Sequence, residues 1–388
     1  MTGFSQDQVN HFIIKKHHLT NDTKIDDIVK ITKDIFGLHA TVATSPYLSL
    51  YSRSNNFSRD NLLEALVVKK TLGKIRCIRK TIHIVPKEMI PIVFSATKKE
   101  IELNSERYYK YLGITENDYE KVSKETLKII KGHGLSAKEI KSELNVSMNI
   151  SPIINLMCDK GLLIRGPPRK GWKSNTHVYY NFHEHFPDLK LDIVDEYSAR
   201  NILIKNYISN YGPVTTRDIA WWTGFPMSHV RKQIDELDSE IIHLKINGSN
   251  HDYILFKNDI SELKNIKKFS QPVINFLPDL DPYIMGYKIR DRYVNKEKTN
   301  MIFDRAGNSA KTINLNGYTI GIWDHIDPYV KIFLLQKVEK TILEKINEKA
   351  IDIGKFISGK KVKIKICKSM TPLTERTAGS VLSPLKEF

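Results

Sequence analysis

The segment GLHATVATSPYLSLYSR, residues 37–53, carries the side chains that first suggest chemistry. His39 is followed two positions later by Thr41, and small residues surround both. The pKa of an ordinary imidazole is about 6.5, so a neutral histidine can accept a proton from water near neutral pH. A threonine hydroxyl can hold a water molecule but cannot take its proton. The alternative interpretation is that both residues only cap or pack a short turn.

Basic side chains in nearby segments are candidates for contacts with phosphate groups. They are Arg53, Arg76 and Arg79, the last two within the segment KIRCIRKTIHIV. His83 alternates with Thr81 in that same segment, which is typical of a strand. A single histidine on a strand is more often a hydrogen-bonded packing residue than a ligand-facing one, and both interpretations stay open.

A second basic cluster surrounds Trp172, and its members are Arg165, Arg169, Lys170 and Lys173. Basic and aromatic side chains in one loop suit a phosphate backbone, although a solvated loop has the same composition. Arg305 precedes the turn signal Gly307-Asn308. A hairpin tip there would carry Arg305 either into a DNA groove or into solvent.

The composition favours a polyanionic partner. The chain has 388 residues, with 60 Lys and Arg against 44 Asp and Glu, so its formal net charge is +16. A field of this sign attracts nucleic acid first and anionic membranes second. A general bias of the chain toward lysine is the alternative explanation.

The remaining composition excludes several classes of protein. No apolar run approaches the roughly 20 residues of a membrane span. The N-terminal residues have no apolar core of signal-peptide length, so we expect a cytoplasmic protein. Cys77, Cys158 and Cys367 lie far apart without a CxxC spacing, which indicates neither a disulfide framework nor a zinc site.

One pattern recurs along the chain: a helix, a short turn, a second helix and a hairpin. In the middle copy, Ser136 caps a helix over residues 137–144, and a helix after Ser151 turns Ile153, Ile154 and Met157 inward. The third copy has helices near residues 218–222 and 228–237. A hairpin follows around Asn247-Gly248. This order is typical of a winged helix.

The first copy and the C-terminal region have weaker patterns. Helices are predicted at residues 25–36, from Ser45 onward and at 60–72, and residues 86–130 are mainly helical. After residue 270, turn signals and alternating strands predict a β-rich domain. A long amphipathic helix over residues 328–354 and a strand over 360–368 would close it.

Six segments resemble signatures of the winged-helix DNA glycosylase family typified by AlkZ and YcaQ. They are SPYLSLYSR (45–53), RKTIHIVP (79–86), LLIRGPP (162–168), GPVTTRDIAWWTG (212–224), FLPDLDPYIMGYKIRDRYV (276–294) and FDRAGN with NGYTIGIWD (303–324). Each segment is weak evidence alone, but all six occur in the order of the family and span nearly the whole chain.

The resemblance implies an α+β fold class, with tandem winged-helix domains followed by a C-terminal β-rich, barrel-like domain that carries a long helix. The expected segments are a first winged helix with a helical extension at 1–130, a second at 131–195, a third at 196–268 and the C-terminal domain at 269–388. The concave basic surface of such a protein would bind double-stranded DNA, and we expect a monomer.

The resemblance also implies an activity. Family members are monofunctional DNA glycosylases that release N-alkylated purines, including N7-alkylguanine and interstrand crosslinks, without a metal or an organic cofactor. Their catalytic element is a Gln-apolar-Gln or Gln-apolar-Asp triplet just before the Ser-Pro-Tyr segment. The matching triplet here is His39-Ala40-Thr41, which contains no glutamine. By this correspondence His39 acts as a base or water ligand, and Thr41 orients the water.

A second hypothesis is a DNA-binding protein without catalysis, either a damage binder or a transcriptional regulator. A regulator reads base edges with a recognition helix. The predicted helix over residues 228–237 carries suitable side chains, namely His229, Arg231, Lys232 and Gln233. The two hypotheses share a double-stranded DNA partner and differ in whether the lesion or the base sequence is preferred.

Overall fold

The computed structural model describes residues 3–377 and 383–386. Its helices are α1 (Gln6–Lys16), α2 (Ile28–Asp34), α3 (Ser45–Arg53), α4 (Arg59–Leu63), α5 (Ile90–Tyr111), α6 (Glu116–Ile129), α7 (Ala137–Glu143), α8 (Ser151–Asp159), α9 (Phe182–His185), α10 (Glu196–Tyr211), α11 (Thr216–Thr223), α12 (Met227–Glu236), α13 (Ile260–Asn265), α14 (Pro282–Met285), α15 (Thr299–Ile302) and α16 (Lys340–Ser358). A π-helical turn over Glu64–Val68 continues α4.

The strands are β1 (Gly3–Phe4), β2 (Leu38–His39), β3 (Leu72–Arg76), β4 (Ile82–Pro86), β5 (Leu135–Ser136), β6 (Leu163–Pro168), β7 (His177–Asn181), β8 (Ile241–Ile246), β9 (Tyr253–Phe256), β10 (Ile274–Leu277), β11 (Thr312–Leu315), β12 (Tyr318–Ile326), β13 (Tyr329–Leu334), β14 (Lys363–Ile366), β15 (Ser369–Met370) and β16 (Leu385–Lys386). The fold class is therefore mixed α+β. Two compact units divide the chain: unit 1 is Met1–Asp26, Leu48–Asn55 and Ile208–Phe388, and unit 2 is Asp27–Tyr47 and Asn56–Tyr207.

Unit 2 contains a six-stranded sheet in the order β2-β4-β3-β6-β7-β5. Each half of the sheet is built from a short strand, two helices and a hairpin, in that chain order. The two halves join where Lys74 of β3 pairs with Arg165 of β6. Antiparallel pairing places directly opposed residues on the same face of the sheet, so this junction brings two cations side by side.

The local sequence explains where the helices of the second half begin. Ser136 accepts a hydrogen bond from the Glu139 amide, and the Glu139 side chain accepts one from the Ser136 amide. This reciprocal capping satisfies two N–H groups that the first helical turn leaves without partners. In α8, Ile153, Ile154 and Met157 are fully buried, as their spacing predicts.

Unit 1 contains the third helix pair and its hairpin. Thr215 and Asp218 form a capping box at the start of α11, and Gly224 ends that helix with a left-handed φ of 77°. The hairpin of β8 and β9 turns at Asn247-Gly248, as predicted, and β1 adds to it in parallel beside β8. The helices and hairpin predicted for this copy are thus confirmed.

The C-terminal part of unit 1 corrects one predicted element. The helix predicted over residues 328–354 is wrong at its start, because Tyr329–Leu334 forms β13 and the helix covers Lys340–Ser358. Val330 and Ile332 are β-branched and fully buried between neighbouring strands, where such side chains pack well. Tertiary pairing with β12 and β14 therefore overrides the helical pattern.

The C-terminal sheet also corrects the barrel-like expectation. Its order is β10-β11-β12-β13-β14, and in the described part of the chain the edge strands β10 and β14 do not pair with each other. Helix α16 contacts β10, β13 and β14 instead. The sheet is open, with its apolar face covered by a helix. Within residues 3–377 and 383–386, no helix is long and apolar enough to cross a membrane.

Candidate active site

The backbone before His39 determines where its ring lies. Gly37 has a φ of +96°, a conformation that side-chain-bearing residues rarely adopt. A Cβ at this position would lie 3.1 Å from Val85 Cγ1 and 3.2 Å from the Ile84 carbonyl oxygen. Gly37 therefore lets the chain pass close to β4, and β2 then pairs antiparallel with β4 so that His39 lies opposite His83.

The two histidines form a ring pair on one face of the sheet. Their ring centroids are 4.8 Å apart and their planes are tilted by 56°. His83 is buried with 9% of its surface exposed, whereas His39 is half-buried. The sequence left two interpretations of His83 open, a packing residue or a residue of the site. In the structure His83 lies beside His39, which belongs to the His39-Ala40-Thr41 triplet.

Hydrogen-bond contacts indicate which ring nitrogens carry protons. Nδ1 of His83 lies 3.3 Å from the Thr81 carbonyl oxygen, which can only accept, so this nitrogen is the donor. The Thr41 amide donates to Nδ1 of His39 at 3.5 Å, so that nitrogen is the acceptor. In the neutral pair, His83 then keeps a lone pair on Nε2, and His39 carries its proton on Nε2.

The surroundings favour the neutral form of both rings. Burial, then the charges of His83 and Arg79, hold the pKa of His39 well below 6.5. Burial lowers the pKa of His83 to about 4, with a further decrease from Arg79 and an opposing contribution from the Thr81 backbone. Near neutral pH the pair is uncharged, which is the state that accepts a proton.

The connection between β3 and β4 is strained and cationic. Arg79 and Lys80 have φ values of 52° and 59°, left-handed conformations that are uncommon outside glycine. The Cys77 amide donates to the Thr81 carbonyl at 3.0 Å, which closes the turn around them. Lys80 is exposed and Arg79 is half-buried. Strain of this kind concentrates at functional sites, at a cost of about 1–3 kcal/mol per residue.

Two arginines predicted to contact phosphate instead bind a buried carboxylate. Arg76 donates to Asp159 Oδ2 at 2.9 Å and to Ser105 Oγ at 3.0 Å. Arg165 is 2% exposed and donates to Asn155 Oδ1 at 2.9 Å, with Asp159 Oδ1 at 3.8 Å. The structure does not support phosphate contacts for Arg165, because burial removes its guanidinium from solvent. Arg76 is largely covered by the same cluster.

Arg53 requires the same correction. It has no exposed surface, and its Nη1 and Nη2 donate to the two carboxylate oxygens of Asp281, each at 2.8 Å. Ser49 Oγ donates to the same carboxylate at 3.0 Å. Asp281 also accepts from the Tyr283 amide at 2.9 Å, which forms an Asx-type turn. Arg53 holds unit 1 together and does not face a phosphate.

The loop between β6 and β7 keeps its cations at the surface. Lys170 and Lys173 are exposed. Arg169 is tied back by Glu139 Oε2 at 2.7 Å and the Gly134 carbonyl oxygen at 3.0 Å. This loop matches the predicted basic cluster except for Arg165, which belongs to the buried group described above.

Trp172, in the same loop, lies against two residues that sequence reasoning did not connect with it. Its ring contacts Tyr47 edge-on at 5.4 Å, and the Arg59 guanidinium lies 4.4 Å above its centroid. Cation–π contacts of this kind stabilise by about 0.5–1 kcal/mol at exposed sites. The indole is thereby held within unit 2, with the loop cations around it.

Arg305 lies at an exposed turn. The preceding Asp304 accepts hydrogen bonds from the Asn308 amide at 2.8 Å and its Nδ2 at 3.0 Å, so Asp304 is a turn residue. Arg290 fixes the turn from beneath, since its Nη2 donates to the Gly307 carbonyl and its guanidinium lies 3.5 Å over Phe303. The predicted hairpin tip therefore exists and presents Arg305 to solvent.

Sequence reasoning missed one unusual basic group. Lys74 is 4% exposed, and its Nζ lies 3.3 Å from Nδ1 of His177. Burial, and then the charge of Arg165, lower the pKa of Lys74 to about 7. The alternation of β3 could have placed Lys74 on one face with Arg76, but only the pairing of β3 with β6 buries it.

The fold resembles that of a solved protein structure. The structure is similar to that of the Streptomyces sahachiroi DNA glycosylase AlkZ, with a TM-score of 0.74 over 94% of this chain and 100% of that chain, at 17% sequence identity. The fold is thus that of a known DNA glycosylase.

The sequence comparison gives the family itself. The family model for AlkZ-like DNA glycosylases matches residues 32–328, which include the His39 site. The chain therefore belongs to the AlkZ-like DNA glycosylase family. No curated protein sequence matches it significantly.

Proposed function

We propose that this protein is a monofunctional DNA glycosylase that excises N-alkylated purines, N7-alkylguanine or its crosslinked forms, from double-stranded DNA. Water attacks the anomeric carbon, and His39 with Thr41 stands in place of the glutamine-containing triplet of the family. The neutral histidine pair supports the proposal, because His39 belongs to the triplet that the family resemblance assigns to catalysis and the His83 ring lies 4.8 Å from it.

The chemistry of the leaving group explains why a neutral pair suffices. An N7-alkylated guanine carries a positive charge and departs as a neutral base, so no acid is needed to protonate it. The sugar develops positive charge in the transition state, which a charged imidazole would oppose. Neutral rings avoid that repulsion and can still hold a water molecule.

The tautomers define the proton's route. The lone pair on His83 Nε2 can accept a hydrogen from the attacking water directly. Nδ1 of His39 can do so only when it leaves the Thr41 amide, a contact that is long at 3.5 Å. Thr41 is exposed and its hydroxyl can orient the water. The pair thus offers His83 Nε2 as an available proton acceptor, and His39 Nδ1 becomes a second acceptor once it has moved away from the Thr41 amide.

We propose the same modular organisation that the sequence predicts, with three winged helices and a C-terminal domain. The helix–helix–hairpin segments of residues 1–130, 131–195 and 196–268 act as three winged helices, followed by the C-terminal β-rich domain of residues 269–388. DNA phosphates contact the exposed cations Lys170, Lys173 and Arg305 and the half-buried Arg79. Arg169 contributes less, because Glu139 already pairs with it. The protein acts as a monomer on damaged duplex DNA.

Release of 7-methylguanine from alkylated duplex DNA tests the proposal. Single-turnover rates would be measured for wild type, His39→Ala and His83→Ala, with His133→Ala as an exposed control. We expect about a 100-fold loss for both His39→Ala and His83→Ala, in the range of general base catalysis, and no change for the control. His39→Gln should keep more activity than His39→Ala, because an amide can hold the water. Equal rates for wild type and both alanine variants would refute the proposal.

A second candidate function rests on α12. Arg231 and Lys232 are exposed on this helix, as a recognition helix requires, whereas Gln233 is 3% exposed and cannot reach a base. A regulator would prefer one undamaged sequence over alkylated or abasic duplexes at fixed salt. A repair protein would prefer the lesion, so one set of binding measurements separates the two functions.

A further inference from the structure

Unit 1 contains a lysine-lined groove that the glycosylase chemistry does not use. Two adjoining cavities, of about 280 Å³ and about 580 Å³, form it and share five lining residues. Together they are lined by six lysines, Lys15, Lys24, Lys267, Lys268, Lys345 and Lys349. We call this feature the lysine groove.

The charges in the lysine groove do not balance. Its lining acids are Asp22, Glu348 and Asp352, so six cations face three carboxylates, a formal excess of +3. Lys15 pairs with Asp22 at 2.7 Å, so this carboxylate is not available to neutralise the other lysines. An anion in the groove would relieve the remaining repulsion.

Lys24 is half-buried among these like charges. Burial, and then the like charges of Lys349 and Arg53, lower its pKa to about 8. Lys24 and Lys349 line both cavities, so an anion bound at their junction would contact both ammonium groups.

A buried amide indicates a ligand beyond a simple anion. Asn275 lines both cavities, is 7% exposed and donates from Nδ2 to the Leu19 carbonyl at 2.9 Å. In the described structure its Oδ1 has no hydrogen-bond partner. A buried acceptor without a partner costs about 1–3 kcal/mol, which a ligand that donates an N–H group would recover.

An aromatic surface lies in the same groove. Tyr51 lines the smaller cavity and stacks on Phe356, with ring centroids 4.3 Å apart and an interplanar angle of 24°. Aromatic faces beside cations are the recurring surface for unpaired nucleic-acid bases. The cavity is concave, whereas the backbone of a duplex is convex, so the shape suits an unpaired nucleotide rather than duplex DNA.

We propose that the lysine groove binds an unpaired nucleotide unit, with its phosphate on Lys24 and Lys349 and its base near Tyr51 and the Asn275 amide. The unit is either a free nucleotide or part of a single strand, since both present the same phosphate and base. None of these residues belongs to the His39 site, so the inference holds whether or not the chain is a glycosylase.

Fluorescence anisotropy with a short labelled oligothymidylate tests the proposal on the full-length protein. We expect Lys24→Ala/Lys349→Ala to weaken binding about 10-fold and to reduce the slope of log K against log salt by about 1.4, or about 0.7 per lost contact with a single strand. The control Lys337→Ala/Lys361→Ala removes the same charge from exposed positions outside the groove and should change affinity less than about 2-fold. An equal loss in both double variants would overturn the site.

Asn275→Leu separates base recognition from charge. It should weaken binding several-fold without changing the salt slope, because no cation is lost. Thermal unfolding of each variant checks that the fold is kept. If Asn275→Leu unfolds, the neutral and shorter Asn275→Ser replaces it and should likewise weaken binding without changing the salt slope.

Competition identifies the ligand. Thymidine monophosphate should displace the labelled strand where inorganic phosphate at the same concentration does not, and displacement only by an unlabelled oligothymidylate would assign the nucleotide to a strand. Either result supports the site. Displacement by inorganic phosphate as efficient as by the nucleotide, or by duplex DNA as efficient as by a single strand, would overturn it.

Discussion

The His39 region of unit 2 and the Arg53 region of unit 1 derive from the same signature segment but have opposite physical character. His39 is half-buried, its ring partner is neutral, and a strained turn lies nearby. Arg53 and Asp281 are fully buried and form a bidentate ion pair. A buried ion pair of this geometry maintains a fold, whereas a neutral pair at the surface of a sheet can exchange protons with a substrate.

This contrast shows that a residue of a signature segment can serve either the stability of the fold or the chemistry of a site. Arg53 lies in the signature segment and pairs with Asp281, over 200 positions away in the chain. His39 lies where chemistry is expected, and the residue type there departs from the family pattern. A polar residue in a signature therefore identifies a site only when it is also reachable by a ligand.

Removing one member of the buried ion pair should have the largest effect. Arg53→Met leaves Asp281 charged and without its partner in a site with no water access, which should cost about 3–5 kcal/mol of unfolding free energy. Urea denaturation measures this loss. Arg53→Met/Asp281→Asn should recover part of it, because the amide keeps the turn but carries no charge.

An exposed pair provides the control for that measurement. Lys30→Met breaks the surface pair with Asp34, 2.8 Å long, and should change stability by less than about 1 kcal/mol. A loss for Arg53→Met as small as that for Lys30→Met would mean that the buried pair contributes little to the fold.

The contribution of His83 to stability should depend on pH. Its pKa is about 4 in the folded protein and about 6.5 when unfolded, so the unfolded chain binds a proton first as the pH falls. The stabilisation is present above pH 6.5 and is lost as the pH falls from about 6.5 to about 4, by roughly 3 kcal/mol. Wild type should therefore lose more stability than His83→Gln over this window.

The catalytic rate has a different pH profile. Because burial holds the pKa of both rings below 6.5, the glycosylase rate should show no decrease near pH 6.5. Unfolding curves at several pH values for wild type and His83→Gln, with rates from the same preparations, check both statements. A rate that halves near pH 6.5 would show that the rings titrate as ordinary exposed histidines.

Gly37→Ala should have a smaller effect on stability and a clear effect on activity. A side chain at φ +96° is strained, at about 1–2 kcal/mol, and its Cβ would press on the Ile84 carbonyl. The shift of β2 moves His39 relative to His83, so the rate of base release should fall.

Gly113→Ala is the matched control for that variant. Gly113 has a φ of +75° with no atom within 4 Å of the Cβ position, so its substitution introduces strain without a collision. It should cost about 1 kcal/mol and leave activity unchanged. Equal loss of activity in both variants would attribute the effect to general instability.

The loop around Trp172 should show the smallest effect. Lys170→Ala/Lys173→Ala should weaken duplex binding a few-fold near 0.15 M salt and reduce the salt slope by about 1.8, or about 0.9 per phosphate contact. Lys337→Ala/Lys361→Ala again controls for charge. A slope unchanged from wild type would place this loop away from the DNA backbone.

Local patterns predicted much of the fold because short-range physics controls them. The capping residues Ser136 and Thr215, the helix pairs that follow them and the turn at Asn247-Gly248 depend on neighbours a few positions away. Residues 329–334 were wrongly predicted as helix, because the periodicity of a single segment contains no information about the strand that pairs with it in the sheet.

The positive charge, the family, the repeated helix–helix–hairpin order and the position of the candidate catalytic triplet could all be inferred from the amino-acid sequence. The folded structure was needed to show which of the cations are buried and which are exposed. Arg53 and Arg165 are buried while Lys170 and Lys173 are exposed, although all four are simply basic residues in the sequence. The physical reason is that burial and ion pairing depend on residues distant in the chain, and those determine whether a cation or an imidazole can meet a ligand.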